Sequence, residues 1–219
     1  HFFGSPSVGY GHQDAKFQCV SQSTYSFEIN DSLVQSVLKE RLETESIPSD
    51  DKASYEKNFL IAESERYFHR DNDGEPNRYN FAIKSCCYYD SETLFMKSLE
   101  ILTGNLHDLK LELINMLKEE KSRASFTQNS EFVYHYVVEG ESHTLGNLIQ
   151  SHIMRRCVGH GYVNLFGYKK PHPLEDKILF IASIDKSHKL AKSDEVTKSQ
   201  SVTTFIIDSI DEIVQDVKI

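Results

Sequence analysis

Ten histidines in this chain could bind a metal or transfer protons. No two of them form the H-E-x-x-H pattern that places two zinc ligands on one face of a helix. Four of them are separated by nine, eight and twelve positions: His143, His152, His160 and His172. These spacings favour ordinary hydrogen-bonded side chains, so we predict no metal and no cofactor. A metal-dependent enzyme that uses His143, His152 and His172 remains an alternative.

The four cysteines are Cys19, Cys86, Cys87 and Cys157, and no two of them form a C-x-x-C pair. Their spacing is not that of a disulfide-rich secreted module, so we interpret them as reduced thiols. If Cys86 and Cys87 lie on a strand, they point to opposite faces, which makes them poor joint ligands for one metal.

Two short segments that contain glycine resemble ligand-binding loops but lack the residues that the chemistry needs. Residues 71–75 read D-N-D-G-E, yet His69 and Asn80 then occupy the first and twelfth positions of a calcium loop, where carboxylates are required. Residues 9–11 form a lone G-x-G, without the third glycine of a dinucleotide site. We predict turns at both places and no catalytic residues in the chain.

The composition indicates a folded, acidic protein. Of the 219 residues, 39% are hydrophobic and 11% are aromatic, which is too rich for a disordered chain. The formal net charge of −9 argues against a broad surface that binds duplex DNA. No apolar run approaches the roughly 20 residues of a membrane-spanning helix, so we expect no membrane contact.

The residues after 131 have the periodicities of strands and helices in alternation. They predict, in order, a strand, a helix capped by Thr144, two strands joined by a proline-containing loop, and a terminal helix: residues 132–139, 144–153, 162–168, 177–185 and 202–217.

The clearest periodicity lies in residues 94–117, where apolar residues alternate spacings of four and three: Phe95, Leu99, Leu102, Leu106, Leu109, Leu113 and Met116. This heptad-like seam predicts a long helix that packs against a partner helix, and the terminal helix is the natural partner. Upstream, strands are predicted over residues 25–29 and 79–86, with a short helix capped by Asp31 between them. Residues 118–131 are mostly polar and predict a linker.

Two segments of the chain resemble the alpha-like motif of the small assembly subunit of multisubunit RNA polymerases. They are E-S-H-T-L-G-N at residues 141–147 and G-Y-K-K-P-H-P-L-E-D-K-I at residues 167–178. The likeness extends over residues 131–219. It is to the eleventh subunit of RNA polymerase II and to its archaeal L-type counterpart.

The earlier residues are similar to the later part of the partner protein, which is the third subunit of RNA polymerase II or its archaeal D-type counterpart, at residues 9–17, 68–75 and 80–85. That family often has cysteines near the middle segment, some of which bind zinc or an iron–sulfur cluster, and this chain has none there. Both partners on one chain, the larger one first, resembles the fused subunit of large cytoplasmic DNA viruses such as asfarviruses and poxviruses. Because the chain starts at His1 without a Met, we expect the later part of a longer fused subunit.

The resemblance implies an α+β fold of two alpha-like dimerisation halves, with antiparallel sheets and long helices packed across a pseudo-two-fold axis. The halves would be residues 1–117 and 132–219. The implied function is a non-catalytic assembly scaffold of a DNA-directed RNA polymerase. Its partners would be the two large catalytic subunits and a small zinc-binding subunit, with DNA reached only through the complex. The location would be the host cytoplasm and the virion for a viral protein, and otherwise the nucleus.

The residues that we expect at subunit interfaces come from the seam, the two motif segments and the terminal helix. They are Phe95, Leu99, Leu102, Leu106, Leu109, Leu113, Glu141, His143, Thr144, Leu145, Gly146, Asn147, Gly167, Tyr168, Pro171, His172, Pro173, Ile206, Ile210 and Ile213. Residues 144–147 would place the helix or contact a partner, and residues 167–173 would form a rigid connection beside them. A stand-alone helical module that homodimerises through its seams remains an alternative function.

Overall fold

The computed structural model describes residues 3–11, 13–45, 47–156 and 161–217 of the chain. Its strands and α-helices follow one another as β1 (Val20–Phe27), α1 (Asp31–Thr44), α2 (Lys52–Glu63), β2 (Tyr79–Ser85), α3 (Ser91–Leu117), β3 (Ala124–Ser130), β4 (Val133–Glu139), α4 (His143–Arg156), β5 (Val163–Lys169), β6 (Lys177–Ile184) and α5 (Glu195–Val217). All strand pairs are antiparallel, which confirms the predicted α+β class. Within the ranges described, no helix combines the length and the apolar character needed to cross a bilayer. Cys157 and His160 lie outside these ranges.

The chain divides into two compact units, residues 1–95 and 96–219. This division differs from the predicted halves because most of α3 belongs to the second unit. The assignment of residues 1–117 and 132–219 to two related halves therefore stays a prediction.

The first unit contains a two-stranded ribbon of β1 and β2 and two helices. Its small core is formed by Val34 and Leu38 of α1 with Phe59 of α2. The predicted cap of α1 was wrong by one residue, because the Asn30 side chain accepts the hydrogen bond of the Leu33 backbone N–H at 3.1 Å. Helix α2 was not predicted, since it has only one buried residue and hence no apolar stripe that a periodicity search could find.

The second unit is built on a four-stranded sheet with the order β3-β4-β6-β5. Tyr134, Tyr136 and Val138 alternate along β4 and are fully buried, as a strand with one covered face requires. The hydroxyl groups of Tyr136 and Thr203 are 3.1 Å apart, which ties the sheet to α5. Burial raises the pKa of Tyr136 well above its ordinary value.

The predicted linker was wrong over seven of its residues, since Ala124–Ser130 forms β3 and pairs with β4. Strand β3 lies at the edge of the sheet, and most of its side chains are exposed. An edge strand of this kind is polar and has little apolar alternation, so its sequence resembles that of a loop.

The seam of α3 is buried in the second unit over its later part. Leu106, Leu109 and Leu113 are at most 2% exposed and share one core with α5 residues Val202, Ile206, Ile210 and Ile213. Leu102 and Met116 pack against this core. The Lys110 Nζ lies 2.7 Å from both carboxylate oxygens of Asp211 on α5, beside the leucines.

The seam is not continuous at its start, contrary to the sequence prediction. Phe95 packs against Phe81 of β2, with ring centroids 5.5 Å apart, and both residues belong to the first unit. Leu99 is half-buried. One apolar stripe on α3 therefore includes residues that belong to different units, which a periodicity search cannot separate.

Leu106→Asp should lower the free energy of unfolding by at least about 3 kcal/mol, because it removes a buried side chain and puts a charge in its place. Urea denaturation of the variant and the unchanged chain measures this difference. Leu111→Asp is the matched control, since Leu111 lies on the same helix and is 56% exposed. Equal losses for the two variants would contradict the burial of the seam.

Candidate functional site

The first motif segment forms the start of α4, and its cap differs from the prediction. Helix α4 begins at His143, so Thr144 lies inside the first turn. The Ser142 hydroxyl accepts the hydrogen bond of the Thr144 backbone N–H at 3.4 Å. Ser142 is therefore the residue that satisfies an unpaired amide at this helix end.

The two motif segments meet where α4 passes over β5. The His143 Nδ1 lies 3.3 Å from the Tyr168 hydroxyl, and the two rings are nearly perpendicular with centroids 5.9 Å apart. A Cβ added to Gly146 would lie 2.5 Å from the Cδ2 atom of Tyr168. A glycine is thus required at this position so that the tyrosine ring can lie against the helix backbone.

A groove of about 560 Å³ runs beside this contact. It is lined by side chains of α3, α4 and β5: Leu102, His143, Thr144, Asn147, Leu148, Ser151 and Tyr168. Thr144 and Asn147 are exposed, so a partner could reach them from solvent. The groove combines apolar walls with hydroxyl, amide and imidazole groups, which suits recognition of a protein surface.

Arg123 contacts Glu141, the first residue of the motif segment 141–147. The sequence analysis did not identify Arg123 as a site residue. Its Nη1 lies 2.8 Å from the Glu141 carboxylate, and it donates a hydrogen bond to the Glu139 carbonyl at 3.0 Å. Its backbone N–H donates to the Glu112 carboxylate of α3 at 2.9 Å. The Ser122 hydroxyl donates to the same carboxylate at 2.8 Å. Arg123 therefore connects α3, β4 and the segment before α4.

The two carboxylates around Arg123 have opposite pKa shifts. Hydrogen bonds from the Arg123 backbone N–H and the Ser122 hydroxyl hold the pKa of Glu112 below its usual value. Burial raises the pKa of Glu141, and the Arg123 guanidinium offsets this only in part. No sequence signal marked Arg123 or Glu112, because the contact joins a helix to a segment that resembled a linker.

The other predicted site residues are not all brought together. Leu145 is buried in the core below the groove. Gly167 was predicted as part of a rigid connection, but it is half-buried on β5, and a Cβ added there would meet no atom within 4 Å. Pro171, His172 and Pro173 are exposed between β5 and β6, where His172 Nδ1 accepts the Leu174 N–H at 3.2 Å.

The three histidines of the metal-enzyme alternative have separate partners. His143 contacts Tyr168, and His172 contacts the Leu174 backbone, as described above. The His152 Nε2 lies 3.0 Å from the Glu212 carboxylate of α5. In the part of the chain that the structure covers, no three His, Cys, Asp or Glu residues are grouped as metal ligands.

Comparison with known proteins identifies the family to which the later part of the chain, including most of the groove residues, is similar. Residues 134–218 match the RNA polymerase Rpb3/Rpb11 dimerisation domain. The DNA-directed RNA polymerase subunit Rpo11 of Saccharolobus solfataricus is 39% identical over 77 residues, which are 33% of this chain and 77% of that protein. The subunit of the same name from Saccharolobus shibatae is 40% identical over 77 residues, with 35% and 77% covered. The chain belongs to the RNA polymerase Rpb3/Rpb11 dimerisation family.

The region that matches this family extends from β4 into α5 and includes both motif segments. Within it lie the His143–Tyr168 contact and the α5 residues of the core. The seam of α3, strand β3 and Arg123 precede it in the chain. The dimerisation domain is thus packed against a helix from outside its own matched sequence.

Gly146→Ala should destabilise the protein by about 1–3 kcal/mol, because the new methyl group overlaps the Tyr168 ring. Thermal unfolding measures the change. Gly104→Ala is the matched control, since a Cβ at this helical glycine meets nothing within 4 Å. That substitution should stabilise the chain by up to about 1 kcal/mol. Destabilisation by both variants would show that Tyr168 is not the cause.

Glu112→Gln should lower the free energy of unfolding by about 1–3 kcal/mol at pH 7, because two hydrogen bonds to a charged group are weakened. The pKa of Glu112 is lowered in the folded state, so its stabilising contribution is present above the ordinary value and is lost as the pH falls through the lowered pKa. Urea denaturation at pH 7 and at about pH 3 should therefore show a difference that shrinks in acid. Glu100→Gln, whose ion pair with Lys97 is exposed, should change little at either pH.

Proposed function

We propose that this chain is a non-catalytic assembly subunit of a multisubunit DNA-directed RNA polymerase, in which two alpha-like halves pair within one chain. One observation supports this most strongly. The leucines of α3, which precede the region that matches the dimerisation family, share a core with α5 inside that region. A dimerisation domain needs an apolar partner helix, and α3 supplies one in cis.

Covalent connection makes this pairing favourable. When two modules are linked by a short segment, docking occurs at an effective concentration on the order of millimolar. Only residues 118–123 separate α3 from β3, and Ser122 and Arg123 at their end are hydrogen-bonded back to Glu112 of α3. The connection is therefore short and anchored, which reduces the entropy lost when the helix docks.

The exposed residues beside the paired helices are the proposed docking surface. Thr144 and Asn147 line the groove, and residues 171–173 form the exposed loop after β5. We propose that these places contact the two large catalytic subunits and a small zinc-binding subunit. Those large subunits would perform nucleotide addition, and this chain would reach DNA only through the complex.

In this chain, the residues that resemble the larger partner protein precede those that resemble the smaller one. This order favours a fused subunit of the kind found in large cytoplasmic DNA viruses. The corresponding site of action is the host cytoplasm and the virion, and it is the nucleus if the source is cellular. The long helices would then relate the two halves by a pseudo-two-fold axis.

Affinity purification of the tagged chain from its native source tests the assembly role. The two largest polymerase subunits should co-purify in stoichiometric amounts, as measured by mass spectrometry. In the double variant Thr144→Arg and Asn147→Arg, the amount of co-purified polymerase subunits should fall at least about tenfold, since charged side chains would obstruct the groove. Lys192→Glu, an exposed change elsewhere in the same unit, is the control. Recovery without any polymerase subunit would contradict the proposal.

The homodimerising module makes a different prediction for the isolated chain. Its seams would have to face a second copy, yet Leu106, Leu109 and Leu113 are already buried within this chain. Light scattering should therefore give the mass of a monomer. A stable dimer that does not recruit polymerase subunits would favour the alternative.

A further inference from the structure

Three thiols lie at one end of the ribbon in the first unit. Cys19 comes directly before β1, and Cys86 and Cys87 come directly after β2. The Cys86 backbone N–H donates a hydrogen bond to the Cys19 carbonyl at 2.8 Å, which continues the ladder beyond the Val20 and Ser85 pair. All three side chains are exposed. The two strands thus hold these cysteines together although they are far apart in sequence.

Among the three, Cys19 and Cys87 lie close enough that each thiol shifts the pKa of the other. The Cys87 sulfur also lies 3.6 Å from the Ser85 hydroxyl, and the Cys87 backbone N–H donates to that hydroxyl at 3.2 Å. Ser85 therefore fixes the position of the Cys87 sulfur at this end of the ribbon. Because the backbone hydrogen bond between Cys86 and Cys19 holds the ends of the two strands together, only a small movement would bring the Cys19 and Cys87 sulfurs to bonding distance.

The electrostatics give the two thiols different roles. The Ser85 hydroxyl and other hydrogen bonds lower the pKa of Cys87 below its ordinary value. Desolvation and the neighbouring Cys87 raise the pKa of Cys19. Cys87 is therefore the better thiolate and the first nucleophile, whereas Cys19 is the resolving thiol.

The adjacent pair Cys86 and Cys87 is a poor competitor. Consecutive Cα atoms are about 3.8 Å apart, whereas disulfides usually join Cα atoms separated by about 4.4–6.8 Å. Ring closure between neighbours would thus distort the backbone at the end of β2.

We propose that Cys19 and Cys87 form a redox-responsive dithiol site that small disulfide oxidants, such as oxidised glutathione, convert to a disulfide. The Cys87 thiolate attacks one sulfur of the oxidant, forming a mixed disulfide and releasing one glutathione thiolate. Cys19 then loses its proton and attacks the Cys87 sulfur, which releases the second glutathione thiolate. Two cysteines are oxidised and one glutathione disulfide is reduced to two thiols.

The bond would fix the open end of a two-stranded ribbon. Two-stranded ribbons are marginally stable by themselves, and a cross-link that closes a long loop restricts the unfolded chain. The loop between Cys19 and Cys87 contains both strands and both helices of the first unit. In a reducing compartment the thiols stay free, and oxidative stress closes the bond.

Titration of the full chain with glutathione redox mixtures tests the site. The starting protein carries Cys157→Ser, so that only the three ribbon cysteines remain. Oxidation should remove two of the three free thiols, lower the mass by two hydrogen atoms, and give one cross-linked peptide pair that contains Cys19 and Cys87. Cys86→Ser should form the same bond, whereas Cys19→Ser and Cys87→Ser should not.

The variants also show whether the disulfide forms at one specific pair of cysteines or whether any exposed thiol reacts with the oxidant. Cys19→Ser should stop at a glutathione adduct on Cys87, because the resolving thiol is gone. The proposal is overturned if the main product joins Cys86 to Cys87, if the bonds are between molecules, or if three thiols persist in fully oxidised glutathione. Far-UV circular dichroism of each variant and of the starting protein checks that a missing disulfide does not result from unfolding.

Discussion

Three leucines on one face of α3 lose nearly all contact with water in the core of the second unit, and the other features of that unit depend on this burial. Each buried leucine contributes about 1.5–3 kcal/mol relative to an exposed one, before the cost of ordering the helix. The same core holds the buried faces of β4, α4 and α5. Without α3, a large apolar surface of the dimerisation domain would face solvent.

Charged and polar contacts define the geometry around this core. Lys110 and Asp211 join α3 to α5 next to the leucines. Arg123 and Glu112 join α3 to the start of β3, and Arg123 also pairs with Glu141 of the family motif. Because a buried carboxylate is costly without a partner, this network favours one arrangement of the helix and the motif.

The first unit has a different physical character. Its core is small, and several aromatic side chains of the ribbon are largely exposed, including Tyr25 and Phe81. Cross-strand aromatic contacts such as that of Tyr25 with Phe81, and the backbone ladder that continues to Cys19 and Cys86, hold the ribbon together. A unit of this kind gains more from a covalent cross-link than one with a large core does.

The sequence by itself determined the elements that have strong apolar periodicity. The α3 leucines, the alternating residues of β4 and the stripe of α5 each predicted the correct type of element, because the repeat of three to four or two residues reflects which side is buried. The alpha-like motif at residues 141–147 and 167–178 indicated the family, and its two segments do meet at Gly146 and Tyr168. The periodicities and the two motif segments can be read from residues close together in the chain, whereas the contact between the two segments needs the fold.

Only the tertiary structure decided the features that join distant residues. The sequence of strand β3 resembled that of a linker. Most side chains of this edge strand are exposed, so the strand needs few apolar residues. Arg123 meets Glu112 where α3 packs against the start of β3, and strand pairing brings Cys19 to the end of β2 that carries Cys86 and Cys87. No local pattern records either contact. The sequence also did not reveal that α3 is divided between two units, since Phe95 and Leu106 continue one stripe, but Phe95 packs against Phe81 of the ribbon and Leu106 enters the core of the second unit. Side-chain spacing tells which face of an element is buried, whereas the partner of that face depends on the whole fold.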